Sequence, residues 1–365
     1  MGRMVVTPSP GPQPIEPTSE LRARFRTYLG KVGSGEHTSS GLTRQEAAEA
    51  MELMLDGVAT PAQIGAFLIA HRIRRPEPQE LTGMLDVYRR RGPVLTSGSP
   101  AICFGMPFDG RSRTAPIYPL TALVLAAAGL PVVVQGSGRM PVKYGVTSAE
   151  LFAALGLNLT GRPLAWVQNC LDQCHLALVH QADHFPAAES LIPYRDEIGK
   201  RPPLASLELM WTAHRGDHLL VSGFVHPPTE TRAWEALRLA GETNLFTVKG
   251  LEGSTDLPIS RACVTGRVRG EGGSERIVLH PRDHGCYGPD PGWDSVDRWS
   301  LQALAALGGQ GDLAHSVRWN AGTYLWQAGQ TSDLQAGVAL AEQLLQDGAA
   351  LRQLHRLSQH CSAPS

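Results

Sequence analysis

From Thr43 onward the apolar positions recur at helical spacing. In "LTRQEAAEAMELMLDG" Ala47, Ala50, Met51 and Met54 fall on one face, Thr43 stands as N-cap with Glu46 three residues on, and Gly57 closes the run. "TPAQIGAFLIAHRIRR" repeats the plan with Thr60 as cap and Pro61 at the first helical position, and "EPQELTGMLDVYRRR" predicts a third helix that stops at Gly92. Together these predict a small helical domain over residues 20–95. Beyond it the pattern alternates. Short apolar runs ("AICFG", "PVVVQG", "HLALVH", "HLLVSGF", "LFTVKG") are separated by helical segments such as "PPTETRAWEALRLAG". That alternation predicts an α/β domain over residues 96–365, with a mostly parallel sheet covered by helices on both faces. "GRVRGEGGSERIVLHPRDHG" reads as a hairpin-like excursion, and the chain closes on long helical segments from "SLQALAALGGQ" onward. The first 19 residues, rich in Pro, Ser and Gly and without a period, are expected to form a disordered tail. No internal repeat is present.

Composition narrows the class. With 42% apolar and 18% charged residues over 365 positions, the chain has the makeup of a well-packed globular protein. A formal net charge of -1 gives no overall attraction to nucleic acid or to an anionic membrane, so any such binding needs a local patch. No apolar run is long enough to span a bilayer and the N-terminus lacks the apolar core of a secretion signal, which points to a cytoplasmic location. The six cysteines show no disulfide spacing. "CLDQCH" offers Cys170, Cys174 and His175, and a helix places the two thiols on one face, but two thiols without a second pair elsewhere do not close a four-ligand zinc site.

The stretch "AICFGMPFDGRSRTAPIYPLTALVLAAAGLPVVVQG" is strand, loop, helix, strand, and the loop stands where backbone N–H groups and a helix N-terminus can receive an anion. Its position after the helical segment, followed collinearly by "KYGVTSAELFAALGLNL", "CLDQCHLALVHQADHFPA", "PYRDEIG", "LHPRDHG" and "NAGTYLWQAGQTSDLQAGVALAEQLLQDGAAL", resembles the anthranilate phosphoribosyltransferase family, glycosyl transferase family 3, over most of residues 40–357. The resemblance implies a helical domain, completed by a helix near residues 186–200, against an α/β domain of the nucleoside phosphorylase/phosphoribosyltransferase kind. It further implies a site in the cleft between the domains, homodimers through the helical domain, and transfer from phosphoribosyl pyrophosphate with magnesium. "AAEAMELML" and "IGAFLIAH" add a physical reason for the dimer: they carry more apolar surface than a three-helix unit buries.

The site motifs depart from the family pattern. Its glycine-rich pyrophosphate loop, G-T-G-G-D, is here "GMPFDG", which keeps Gly105 and Asp109 but places Met106, Pro107 and Phe108 between them. A proline has no N–H to offer, and Met and Phe add bulk where glycine had none. The phosphate-binding N-I-S-T becomes "PIYP", while "DGRSRTAP" introduces Arg111 and Arg113 with Thr114, arginine being suited to bidentate phosphate binding. K-H-G-N-R becomes "VQGSGR", giving Gly136, Ser137 and Arg139, and Lys143 matches a family lysine. For the family's magnesium-binding acidic pair the chain has "GLEGSTDLP", hence Glu252 and Asp256; Arg195 of "PYRDEIG" matches the substrate-binding arginine. Pro141 interrupts Gly136, Gly138 and Gly145, which argues against a dinucleotide fingerprint.

Two functions follow as expectations. One is a phosphoribosyl or related glycosyl transferase with an altered phosphate loop, acting by positioning and charge neutralisation without a strong dedicated base. The other is single-stranded nucleic-acid binding through the helical domain, where Arg72, Arg74 and Arg75 lead a set that includes Arg22, Arg24, Arg26 and Arg89 to Arg91. His284 and Cys286 fall on a structural segment of the family, and His180 and His184 read as packing residues near the cleft.

Overall fold

The computed structural model describes residues 17–35, 38–270 and 273–363. It opens with four helices, α1 (Pro17–Gly33), α2 (Arg44–Leu55), α3 (Pro61–Arg74) and α4 (Pro78–Arg91). The expected tail is therefore too long: helix already runs from Pro17, and residues 1–16 lie outside the described residues. The predicted capping box of α2 forms, and the predicted cap Thr60 of α3 forms a second one. Thr43 Oγ1 accepts the N–H of Glu46 and the Glu46 carboxylate accepts the N–H of Thr43, an exchange repeated by Thr60 and Gln63.

The apolar faces of α2 and α3 are satisfied within one protomer. Met51, Met54, Ile64 and Phe67 are buried in a cluster with Phe25 and Tyr28 of α1 and with Met84 and Leu85 of α4. The surplus apolar surface expected as the physical reason for a dimer is thus absent, because α1 covers it; of the large apolar side chains described on α1–α4, Ile73 alone is strongly exposed. A polar pin sits in the same unit. Glu80 of α4 is fully buried, its Oε1 accepting the Leu42 N–H at 2.8 Å and its Oε2 the Glu77 N–H at 2.6 Å. Arg74 donates to both oxygens and His71 Nε2 lies 3.3 Å from Oε1.

Seven strands form one sheet in the order β3-β2-β1-β4-β5-β6-β7. These are β1 (Ala101–Gly105), β2 (Val132–Gly136), β3 (Leu176–His180), β4 (His218–Gly223), β5 (Asn244–Val248), β6 (Cys263–Arg269) and β7 (Glu275–Leu279). The first five in that order are parallel, and the predicted hairpin extends the sheet, β6 pairing antiparallel to β5 and β7 antiparallel to β6. Alternation along each strand assigns the two faces. Ile102, Phe104, Val132 and Val134 join one core with helix α5 (Tyr118–Ala127) and the C-terminal helices, whereas Ala101, Cys103, Val133 and Val179 join the core of the helical domain. Among the described residues no helix is long and apolar enough to cross a membrane.

Where a single helix near 186–200 was expected, two short ones stand, Pro186–Glu189 and Ile192–Glu197. Pro193 supplies no N–H to continue the first, which breaks the run. The following helix, Leu204–Met210, passes beneath the end of β1 so closely that a Cβ on Gly105 would lie 2.2 Å from the Leu209 carbonyl oxygen. Gly105 is required by that approach.

Candidate active site

The loop from β1 to α5 meets the turn after β5, and the meeting point is charged. Glu252 sits in that turn at φ 55, ψ 22, a left-handed conformation unfavourable for a side chain with a Cβ. That backbone drives its carboxylate into the β1–α5 loop, where it accepts the N–H groups of Arg113 and Thr114 at 3.0 Å each and that of Ser112 at 3.3 Å. The Thr114 hydroxyl donates to it at 3.0 Å, Arg111 Nε at 3.3 Å, and Lys143 Nζ lies 3.2 Å away. Successive N–H groups, an arginine and a lysine converging on one point form an oxyanion cradle of the kind that receives phosphate. Here it holds a carboxylate of the same chain.

Arg111 is 3% exposed and bridges this cradle to a second acid. Its Nη1 donates to Asp256 Oδ2 at 2.7 Å and to Ser254 Oγ at 2.6 Å, and its Nη2 donates to Thr114 Oγ1. Asp256 Oδ2 also accepts the Ile117 N–H at 2.9 Å, at the entrance of α5, while its Oδ1 is buried without a partner. The two carboxylates respond differently to their surroundings. Burial lifts the Glu252 acid, but Arg111, the loop N–H groups and Lys143 more than offset it and hold it well below the usual carboxylate range. For Asp256 burial prevails over Arg111 and the Ile117 N–H, and the acid is raised. Burial likewise lowers Lys143 despite its acidic neighbours.

The remaining positions predicted for the site divide. Asp109 is fully buried and accepts from Arg201 Nε at 2.7 Å, with Arg195 Nη2 3.6 Å away. Arg195, 2% exposed, donates at 2.5 Å to Glu208, whose other oxygen accepts the Phe108 N–H at 2.7 Å. Gly136 packs against Ser148, Ser137 donates to Glu189 at 2.8 Å, and Arg139 pairs with Glu150 at 2.8 Å near the surface. Arg113 is 77% exposed along its side chain and reaches Glu252 only at 3.8 Å; its contribution to the cradle is its backbone N–H. The structure therefore joins Arg111, Thr114, Lys143, Glu252 and Asp256, places Asp109 and Arg195 in a neighbouring cluster, and leaves Arg139 apart. Sequence reasoning missed Arg201, Glu208 and Ser254. A lone acid in the apolar run "ASLELM" was the one signal for Glu208.

Over the loop the free space is small. The cavity bounded by Met106, Phe108, Tyr118, Gly136 and Glu252 measures about 10 Å³, at the lower limit for a single water. Met106 and Phe108, in place of small residues, fill it. His180 and His184 are held by local bonds, His180 Nδ1 to Asp183 at 2.9 Å and His184 Nε2 to the Arg162 carbonyl at 2.9 Å.

The helical domain and the sheet domain match two models in turn: residues 26–92 the helical bundle domain of a glycosyl transferase family, and residues 111–351 its α/β domain. The chain belongs to this glycosyl transferase family. It is 30% identical to the anthranilate phosphoribosyltransferase of Moorella thermoacetica, over 91% of this chain and 97% of that one. To that of Xanthobacter autotrophicus it is 28% identical, over 91% and 95%. The crystal structure of anthranilate phosphoribosyltransferase from Thermus thermophilus superposes with a TM-score of 0.77 at 26% identity, covering 92% of this chain and 99% of that one. The Saccharomyces cerevisiae enzyme, solved with phosphoribosyl pyrophosphate and magnesium, shares the fold at 14% identity with a TM-score of 0.78, covering 93% of this chain and 98% of that one.

Within this family member, most of the arginines considered for nucleic acid are spent on ion pairs. Arg24 pairs with Glu49, Arg74 with Glu80, Arg89 with Glu242, and Arg90 and Arg91 with Glu52. Arg22 donates to the Val58 carbonyl at 2.9 Å. Arg72 and Arg75 are exposed, and no side-chain bond ties either of them to the described residues. Among the described residues these pairings leave no continuous basic track along the helical domain.

Proposed function

We propose that the chain is a phosphoribosyltransferase of the anthranilate phosphoribosyltransferase kind whose anion cradle is occupied, between ligands, by its own Glu252. The observation that carries this reading is the convergence of the Ser112, Arg113 and Thr114 N–H groups with Arg111 and Lys143 on that carboxylate. Arginine and lysine take over the neutralising role that close glycine backbone plays in the family loop. A phosphate of phosphoribosyl pyrophosphate enters by displacing Glu252, and the released strain at φ 55 favours the exchange.

Magnesium fits the donor set. Among the described residues no three His, Cys, Asp or Glu side chains gather for an ion, but Asp256 Oδ1 is buried and unpartnered, and Glu252 is the adjacent carboxylate. Two carboxylate oxygens suffice for a magnesium ion whose other ligands are phosphates and water. When bound it would neutralise charge on the departing pyrophosphate. Arg111 and Lys143 hold the same oxygens in place, and the buried surroundings exclude water from the oxocarbenium-like centre. Arg195 Nη1 donates to Glu208 while its Nε and Nη2 are buried without a hydrogen-bond partner among the described residues, so a carboxylate acceptor such as anthranilate would have to compete with Glu208 for this arginine, and an amine other than anthranilate suits the site better.

Calorimetric titration of phosphoribosyl pyrophosphate into the parent and Glu252→Gln tests this. Glutamine keeps the shape and removes the competing charge, so affinity without magnesium should rise at least about tenfold, or 1.4 kcal/mol. With magnesium the gain should shrink, since one metal ligand is lost. No heat with either protein at millimolar ligand would overturn the proposal.

A further inference from the structure

An opening at the strand ends lies beside the cradle rather than over it. A cavity of about 530 Å³ is enclosed by the end of α3, helix Leu204–Met210, the C-terminal ends of β4 and β5, and the start of helix Pro227–Leu239. Its volume is that of a small-molecule site.

Four arginines line it, Arg72, Arg75, Arg201 and Arg232, together with His226. Its one carboxylate, Glu230, is buried and already receives Arg276 at 2.7 Å and the Thr247 hydroxyl at 2.6 Å, so its charge is met from outside the cavity. Arg201 is partly committed to Asp109 and Arg232 makes a long 3.3 Å contact to the Pro228 carbonyl. The side chains of Arg72, Arg75, Ser206 and Ser222 have no partner among the described residues. Pro227 and Pro228 remove the first N–H donors of the helix behind them, so recognition there falls to side chains. The rest of the wall is apolar, with Pro76, Pro202, Pro203, Leu209, Met210 and Phe224. A concave apolar wall with unneutralised guanidinium groups at its mouth selects an anion that carries a flat apolar body.

From this we infer that the cavity is a binding site for a small organic phosphate of nucleotide size, distinct from the Glu252 cradle. The two are neighbours: Arg201, on the cavity wall, reaches Asp109 of the β1–α5 loop, and a Cβ on Gly223 would lie 2.3 Å from the Gly253 carbonyl oxygen, next to Glu252. A phosphate held by Arg72 and Arg75 places an apolar body against Phe224 and the prolines, facing the loop. A nucleic-acid strand is the less suited occupant, because the unpaired arginines line a recess and other basic side chains of the helical domain, Arg24, Arg74, Arg90 and Arg91, are paired with acids.

The probes are 5′-AMP, adenosine and inorganic pyrophosphate, titrated calorimetrically at low salt into the parent, Arg72→Ala/Arg75→Ala and the remote control Arg352→Ala. The side chains of Arg72 and Arg75 have no partner among the described residues, so the double variant should keep the parent's thermal stability. Expected is binding of 5′-AMP to the parent and control, at least about tenfold weaker binding of adenosine, and at least about tenfold loss in the double variant, as charge-assisted contacts are removed. Phosphoribosyl pyrophosphate binding at the cradle should be unchanged by the double variant, which separates failure here from failure of the transferase reading. The inference is overturned if the parent binds neither 5′-AMP nor pyrophosphate at millimolar concentration. It is equally overturned if the double variant binds as the parent does, or if single-stranded DNA binds while 5′-AMP does not.

Discussion

Arg111→Ala should destabilise the protein by about 3–5 kcal/mol, the cost of removing one partner from a buried ion pair. Two acids depend on this guanidinium, Asp256 at 2.7 Å and Glu252 at 3.3 Å, and both side chains are 2% exposed or less. With alanine there, Asp256 retains the Ile117 N–H and Glu252 retains the loop N–H groups and Lys143, but two buried negative charges face each other without their common counter-charge. The β1–α5 loop and the turn after β5 should separate first. Denaturant unfolding followed by tryptophan fluorescence reads the loss, and Arg111→Lys, which keeps the charge without the fork, should fall between parent and alanine. A loss below about 1 kcal/mol, the range of a surface pair, would mean that this cluster does not hold the loop. The same dependence makes Arg111 unsuitable as a simple probe of phosphate binding, for which Glu252→Gln is the cleaner variant.

Glu80→Ala should cost a similar amount, about 3–5 kcal/mol, through a different part of the molecule. The carboxylate accepts the N–H groups of Leu42 and Glu77 and pairs with Arg74, with His71 beside it, so it ties the segment entering α2 to α3 and α4. Alanine leaves those donors buried and unmet. Acid provides an independent reading of the same group. Burial raises the Glu80 acid, but His71, Arg74 and the Leu42 N–H outweigh it and bring the pKa from 4.5 down to about 2. A depressed carboxylate contributes its full stability above the unfolded value and loses it as pH falls through the folded one. The contribution, about 3 kcal/mol from the size of the shift, should be intact above pH 4.5 and decline toward pH 2. Glu80→Gln should lack that component, so the stability gap between parent and variant should narrow as pH falls across this window. A gap independent of pH would show that the carboxylate charge does not pin the domain.

What the sequence by itself determined is what short-range chemistry decides. Thr43 with Glu46 and Thr60 with Gln63 close their capping boxes within three residues. The apolar runs of β1 to β5 form the parallel strands, and the motifs spread over both domains carry the family. Even the break at Pro193 was written in the chain, since a proline cannot donate to the preceding turn. Residue type also marked Arg111, Glu252 and Asp256 as functional candidates, but not what they would touch.

Tertiary structure alone decided the partners. Glu252 fills a cradle whose N–H groups lie about 140 positions earlier in the chain, because the turn after β5 passes the loop after β1 across β4. Arg195 is bound to Glu208 rather than left open, and α1 covers the apolar faces of α2 and α3 that the sequence pattern left without an occupant. The cationic cavity likewise exists only because α3, helix Leu204–Met210 and helix Pro227–Leu239 converge on the ends of β4 and β5. Backbone propensity acts over a few residues and leaves its period in the sequence. A buried charge must find a counter-charge somewhere in space, and nothing local to it records which one.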